Sequence, residues 1–262
     1  MPLSLHLFGP ISIHIYGLFI VAGLSALLYA LRYDKKCQQL ITSEQLFTLT
    51  TYSILAGVGG GKLLYLLEFW DGDTSWTDEL AFWQGGFSIL GTILGIALVV
   101  IWFVHRHKIP FLPFADRVTL YTPLAQSIAR IGCFFAGCCH GITTHSWLGV
   151  TYTDPESLAV LHTSVHPTQL YSSALLFLIF VCLSTLGQKV AKKPGQLVAG
   201  YLILMSLERF CVDFLRQNRT LVLGNFSLMQ LVAGGVAVIG LILLYGTSSN
   251  TFLSSSRTQN PS

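Results

Sequence analysis

Charge is what this 262-residue sequence has least of: Asp, Glu, Lys and Arg together make up 10% of it, against about a quarter of an ordinary soluble domain. A formal net charge of +3 spread so thinly implies no nucleic-acid partner. The N-terminus, MPLSLHLFGP, has no basic stretch ahead of its first apolar run, and that run continues to full spanning length, so no cleavable signal peptide is read there. GVGGGK (57–62) lacks the Ser or Thr that a phosphate loop needs after its lysine and sits in an apolar run, which leaves close helix packing by small residues as its role. The 6 cysteines include no paired C-x₂-C spacing, and no metal site or cofactor is expected. No internal repeat is visible.

What the sequence has in abundance is apolar surface. Hydrophobic residues make up 52% of the chain and the mean hydropathy is +0.63. A bilayer core about 30 Å thick needs roughly 20 predominantly apolar residues per helix. The sequence predicts an all-α, polytopic, multi-pass membrane protein with about seven such helices, near 12–31, 45–67, 87–104, 116–136, 168–187, 196–213 and 227–246. The first, third, fifth and last are almost continuously Leu, Ile, Val, Ala and Phe. Basic clusters RYDKK (32–36), HRHK with Arg117 (105–117) and QKVAKK (188–193) fall in alternate connections, which places the N-terminus outside and the C-terminus inside. The expected organisation is one integral domain over 1–246 and a disordered cytoplasmic tail over 247–262, rich in Ser, Thr and Asn.

The other three spans carry polar residues, and an ionisable side chain at membrane depth marks a functional site by default. Lys62 lies in the second span, Gln126, Ser127 and Arg130 in the fourth, and LERFCVDFLR (207–216) ends the sixth. A guanidinium keeps its charge and offers a planar fork that fits phosphate oxygens, and every phospholipid carries a phosphate. Arg209, Asp213 and Arg216 have the spacing of one helical face. Arg216 and Arg219 oppose the charge rule on the outer side, which suggests an anionic headgroup. Cys133, Cys138, Cys139 and His140 could be small packing residues, a disulfide from Cys133 to Cys138 or Cys139, or a site in which Arg130, three residues before Cys133, favours its thiolate. His166, ahead of Pro167, Gln169 and Tyr171, and Tyr16 in IHIYG lie at the expected outer surface.

Together these blocks resemble the bacterial phosphatidylglycerol–prolipoprotein diacylglyceryl transferases. The resemblance is carried by IHIYG (13–17), VGGGKLLYLLE (58–68), FWQGGFSILGTILG (82–95), ARIGCFFAGCCHG (129–141), HPTQLY (166–171), and ERFCVDFLRQ (208–217) with SLMQ (227–230). It implies a seven-helix, monomeric enzyme of the bacterial cytoplasmic (inner) membrane. Such an enzyme moves the diacylglyceryl group of phosphatidylglycerol to the lipobox cysteine thiol of prolipoproteins and releases glycerol phosphate. Arg130 and Arg209 match the arginines of the family's G-R-x-G-N-F and F-R-x-x-V-E-F blocks. The resemblance gives catalytic roles to Arg130, Arg209, His166 and Tyr16, and substrate-binding roles to Arg130, Gly132, Gly141, Gln169, Tyr171, Lys62 and Arg216. Gly137 also falls on a matching position.

The sequence also departs from the family. The histidine of its D-G-G-M-S-x-H-G-G block is Leu90 here, which cannot take a proton; the asparagines and glutamate of N-F-x-N-G-E are Cys133, Ala136 and Cys138; the glutamate after Q-L-Y is Ser172; and the arginine of the G-G-R block is Lys62. The base would then be His166 or His140. These departures leave open a member that binds phospholipid without this activity or serves another acceptor.

Overall fold

The structure is a computed structural model that describes residues 4–8, 11–69, 86 and 88–255. Long helices form at each expected place: α1 (Ile15–Tyr33), α2 (Ser43–Phe69), α3 (Ile89–Arg106), α4 (Phe111–Ala136), α5 (Thr168–Cys182), α6 (Gln196–Asp213) and α7 (Leu228–Ser255). α5 runs on through a π-helical turn, Leu183–Gly187, to Val190. Among the described residues four helices are long and apolar enough to cross a membrane: α1, α3, the α5 run to Val190, and α7. They are the four spans that read as plainly apolar. α7 continues past residue 246 to Ser255, since nothing between Thr247 and Ser255 is Gly or Pro to stop it; residues 256–262 lie outside the described residues, as do 70–85 and 87 within the acidic and glycine-rich blocks.

The all-α expectation needs one correction. Three short antiparallel strand pairs accompany the helices, one ahead of α1 and two between helices: β1 (Ser4–Phe8) with β2 (Ile11–His14), β3 (Val150–Thr151) with β4 (Ser164–Val165), and β5 (Leu221–Leu223) with β6 (Phe226–Ser227). SLHLF and ISIH alternate apolar and polar residues, the two-residue period of a strand, so α1 begins at Ile15 and not at 12.

The chain forms two compact units, residues 32–114 and residues 1–31 with 115–262. In the first, Thr42 opens α2 with a reciprocal cap: its hydroxyl accepts from Gln45 N at 3.2 Å while Gln45 Oε1 accepts from Thr42 N at 3.1 Å. The glycines of α2 then let α3 approach backbone to backbone, and a Cβ on Gly60 would lie 2.6 Å from the Gly91 carbonyl oxygen. This is the packing role read from GVGGG. Lys62 is buried in this unit, its Nζ 5.3 Å from the Tyr65 ring centre, and Leu90 is exposed there.

In the second unit polar groups fasten the helices where apolar contacts alone cannot discriminate between partners in lipid. Ser127 on α4 and Ser173 on α5 each donate to the other's backbone carbonyl at 2.9 Å. Tyr201 on α6 donates to Gln126 at 3.0 Å. Buried Asp116 on α4 accepts from Gly195 N at 2.7 Å and Val198 N at 3.0 Å, capping the start of α6. Between these fasteners Leu120, Ile179 and Leu183 form a buried cluster with Tyr121, Tyr201 and Leu204 against it. α1 packs on α4, with Phe19 and Phe135 stacked at 5.4 Å.

Candidate phosphate-binding site

α4 stops at Ala136, and Gly137 (φ 71°) and Cys139 (φ 61°), both in the left-handed region, turn the chain back. Thr168 and Gln169, the first residues of α5, hold that turn: Thr168 Oγ1 donates to the Cys139 carbonyl at 2.8 Å and Gln169 Nε2 to the Cys138 carbonyl at 2.7 Å. Beyond the turn Gly141 N donates to the His166 carbonyl and Ile142 N to the Leu215 carbonyl, each at 2.8 Å. The 137–142 segment therefore links the end of α4, the start of α5 and the chain just after α6.

These connections gather residues from distant parts of the sequence around one small cleft, lined by Arg130, Cys139, Thr168, Gln169, Ser172, Arg209, Val212 and Arg216. Arg130 and Arg209 both line it. α6 ends at Asp213, so Arg216 is not on its helical face; it reaches the cleft from the turn that follows, paired with Gly141 through a backbone bridge. The three cations are close enough that Arg209 feels the charge of both Arg216 and Arg130. Asp213, buried, pairs with Arg209 at 3.9 Å and with Arg219 at 3.6 Å and accepts a hydrogen bond from Ser227. Arg219, read from the sequence as a headgroup candidate, pairs with Asp213 and is not among the residues lining the cleft. Three guanidiniums around one cleft, with one carboxylate divided between two arginines, make a site for an anion with several acceptor oxygens.

The other sequence-expected residues fall around this centre. A Cβ on Gly132 would lie 2.8 Å from Phe19 Cβ, so this glycine lets α1 sit against α4. Tyr16, half exposed, lies within electrostatic reach of Arg130 and of the three thiols. His166 and Tyr171 are not among the residues lining the cleft; the His166 ring meets the Tyr171 hydroxyl at 3.2 Å. His140 is buried, its Nδ1 3.1 Å from the Gly137 carbonyl, and its Nε2 has no hydrogen-bond partner among the described residues. Lys62 and Leu90 belong to the other unit.

All six cysteines are free thiols. Cys133, the thiol that helical spacing set beside Arg130, is buried, and Cys139 is the one that lines the cleft. Hydrogen bonding from Cys138, with the charges of Arg216 and Arg130, lowers the Cys139 pKa to about 5, while the bonds of Cys138 to Cys133 and Cys139 push its own thiol up. Burial raises the Tyr152 hydroxyl to about 12.

Glu208 escaped the sequence reading as a site residue. It is 5% exposed, accepts a hydrogen bond from the Ser172 hydroxyl, and lines an apolar groove between α5 and α6 with Leu175, Leu178, Leu204 and Leu207. The groove and the cleft meet across this Ser172–Glu208 pair. An ionisable residue one position before Arg209 in an apolar span was the available signal.

Comparison with known proteins places the chain among relatives. Residues 2–246 match the family model described as prolipoprotein diacylglyceryl transferase. The chain is 34% identical over 243 residues to phosphatidylglycerol–prolipoprotein diacylglyceryl transferase 2 of Clostridium perfringens, covering 91% of this chain and 92% of the relative. It is 32% identical over 247 residues to the transferase of that name from Clostridium tetani, covering 92% and 96%. A third relative, from Symbiobacterium thermophilum, is 31% identical over 244 residues, with 90% and 89% covered. With a match that spans nearly its whole length and relatives aligned almost end to end, this chain belongs to the prolipoprotein diacylglyceryl transferase family.

Proposed function

We propose that this protein transfers the diacylglyceryl group of phosphatidylglycerol to the lipobox cysteine thiol of prolipoproteins. The observation that carries the reading is the convergence of Arg130, Arg209 and Arg216 on one cleft in a member of this family. The phosphodiester is bound as an anion. As the acceptor sulfur attacks the glycerol carbon, the carbon–oxygen bond breaks and negative charge grows on the departing phosphate. Fixed guanidinium donors in a water-poor cleft stabilise that growing charge with little reorganisation. The thiol proton leaves through a base, for which His166, held by Tyr171, is the assignment, and Tyr16 lies at the same end of α1 and α4. The apolar groove lined by Leu175, Leu178, Leu204 and Leu207 suits an acyl chain whose phosphate lies in the cleft. Gly132, Gly141, Gln169 and Tyr171 complete the proposed binding set.

The seven long helices are all membrane spans in this reading, with the N-terminus outside and the C-terminus inside the bacterial cytoplasmic membrane. Residues 1–246 act as one monomeric domain. The alternating basic connections support that orientation. Transfer of labelled diacylglyceryl from phosphatidylglycerol vesicles to a synthetic lipobox peptide by the purified protein tests the activity. Rescue of a transferase-depleted bacterium by this chain is the expected result in the cell, and failure of both assays by folded protein refutes the proposal.

A further inference from the structure

Gln169 is 1% exposed and lines the arginine cleft. Its amide nitrogen donates to the Cys138 carbonyl at 2.7 Å and lies 3.5 Å from the Tyr152 hydroxyl. The first contact decides which way round the amide sits, because the flipped amide would set two carbonyl oxygens against each other. The remaining atom, Oε1, is buried and has no hydrogen-bond partner among the described residues. An acceptor buried without a partner carries a desolvation penalty.

A phosphodiester cannot remove that penalty. Its unesterified oxygens are acceptors and are already matched by the guanidinium donors of Arg130, Arg209 and Arg216. The cleft offers guanidinium donors to the phosphate and, besides the Cys139 sulfur, is lined by Gln169 with its unpartnered Oε1, a lining that suits an anionic phosphate with a neutral hydrogen-bond donor close by. An ammonium head group would bring a donor but also a charge repelled by three guanidiniums. A neutral alcohol brings the donor alone. On the reading that the cleft binds phosphatidylglycerol, we propose that Gln169 Oε1 accepts a hydrogen bond from a hydroxyl of the lipid's polar head group. Gln169 is then a specificity residue that selects a neutral, hydroxylated head group once the arginines have selected the phosphate.

The test compares phosphatidylglycerol with phosphatidylpropanol, which has the same phosphodiester, charge and carbon count in its head group but no hydroxyl. In the transfer assay the wild-type protein is expected to prefer phosphatidylglycerol by about tenfold in kcat/KM, the scale of one lost hydrogen bond with its acceptor left unpaired. In Gln169→Met the ratio of the two lipids is expected to fall to within about twofold, whatever the lost Cys138 contact does to the absolute turnover of both. Equal use of both lipids by the wild type overturns the proposal, as does an unchanged ratio in the variant. An equal loss on both lipids, or a loss confined to the KM of the peptide, would overturn it too, by assigning Gln169 to the Cys138 turn or to the acceptor thiol.

A second measurement needs neither the variant nor transfer activity: inhibition, or direct binding, by glycerol phosphate against propyl phosphate on the wild-type protein. Glycerol phosphate is expected to bind about tenfold tighter. If transfer is absent but this difference holds, the transferase reading fails and the head-group assignment stands. If transfer occurs and the two esters bind alike, or if neither binds, the assignment fails.

Discussion

Replacing Gly141 with alanine puts a methyl group where there is no room for its carbon. A Cβ at this position would lie 2.6 Å from the Leu215 carbonyl oxygen, 2.7 Å from His166 Cβ and 2.9 Å from the His166 carbonyl oxygen. The glycine is not there for conformational freedom, since its φ is not among the left-handed ones. It is there because Gly141 N donates to the His166 carbonyl, Gly141 itself bridges to Arg216, and Ile142 N donates to the Leu215 carbonyl. Ordinary carbon contacts begin at 3.4 Å, so two backbone segments must each retreat by several tenths of an ångström to roughly 1 Å. Overpacking of this kind costs about 1–3 kcal/mol, and the upper end applies when backbone must yield.

The functional consequence follows from which backbone yields. Leu215 immediately precedes Arg216, and a shift of about 1 Å in a group that positions substrate lowers the rate by about 100-fold. Gly141→Ala is therefore expected to lose about two orders of magnitude in kcat/KM for lipid transfer, with a lowered thermal midpoint in detergent. Gly234→Ala is the control within the same molecule: a Cβ there meets nothing within 4 Å, and replacing a helical glycine by alanine favours the helix by about 1 kcal/mol. Turnover of Gly141→Ala within about threefold of wild type would refute the reasoning, and so would an equal loss in both variants.

Arg130→Lys is expected to abolish transfer, to at least about 100-fold below wild type, because lysine keeps the charge and loses the planar fork; near-normal turnover of phosphatidylglycerol would sink the two-point contact. Asp213→Asn should lower stability by about 3 kcal/mol, the low end for a broken buried pair, since Arg209 and Arg219 are partly exposed; an unchanged thermal midpoint would show that Asp213 balances neither arginine. Cys139, whose pKa is lowered by hydrogen bonding with Cys138 and by the charges of Arg216 and Arg130, should be alkylated by iodoacetamide at lower pH than an ordinary thiol near pKa 8.5, which gains about 100-fold between about pH 6 and 8, and an equally steep rise for Cys139 would refute the shift. Phospholipid should slow that labelling because Cys139 lines the cleft, and labelling of Cys133 ahead of Cys139 would contradict the burial of Cys133.

What the sequence made legible and what it hid divide along one physical line, the range over which a residue's meaning is decided. Arg130 and Arg209 stood out because charge inside an apolar span is costly wherever the helices go, and the α2 glycines because a missing side chain in such a helix nearly always serves close packing. Each of those inferences needs only the local run and the solvent. The pairing of Ser172 with Glu208, 36 positions apart, depends on how α5 is rotated against α6, which no local pattern encodes. The same holds for the choice of Cys139 over Cys133 at the cleft. Helical spacing put Cys133 beside Arg130, but the helix ends at Ala136 and two left-handed residues reverse the chain, so the thiol beyond the reversal is the one carried into the cleft. The N-terminal hairpin was hidden differently: its two-residue alternation was present in SLHLF and ISIH, yet it adjoins an apolar run long enough to absorb it into a span. The departures from the family pattern are of the first, local kind when read as losses and of the second when read as replacements. Ser172 in place of a glutamate looks like a lost carboxylate in the sequence. In the folded chain its hydroxyl meets the carboxylate of Glu208 on the neighbouring helix, so a carboxylate lies beside that edge of the cleft although position 172 does not supply it.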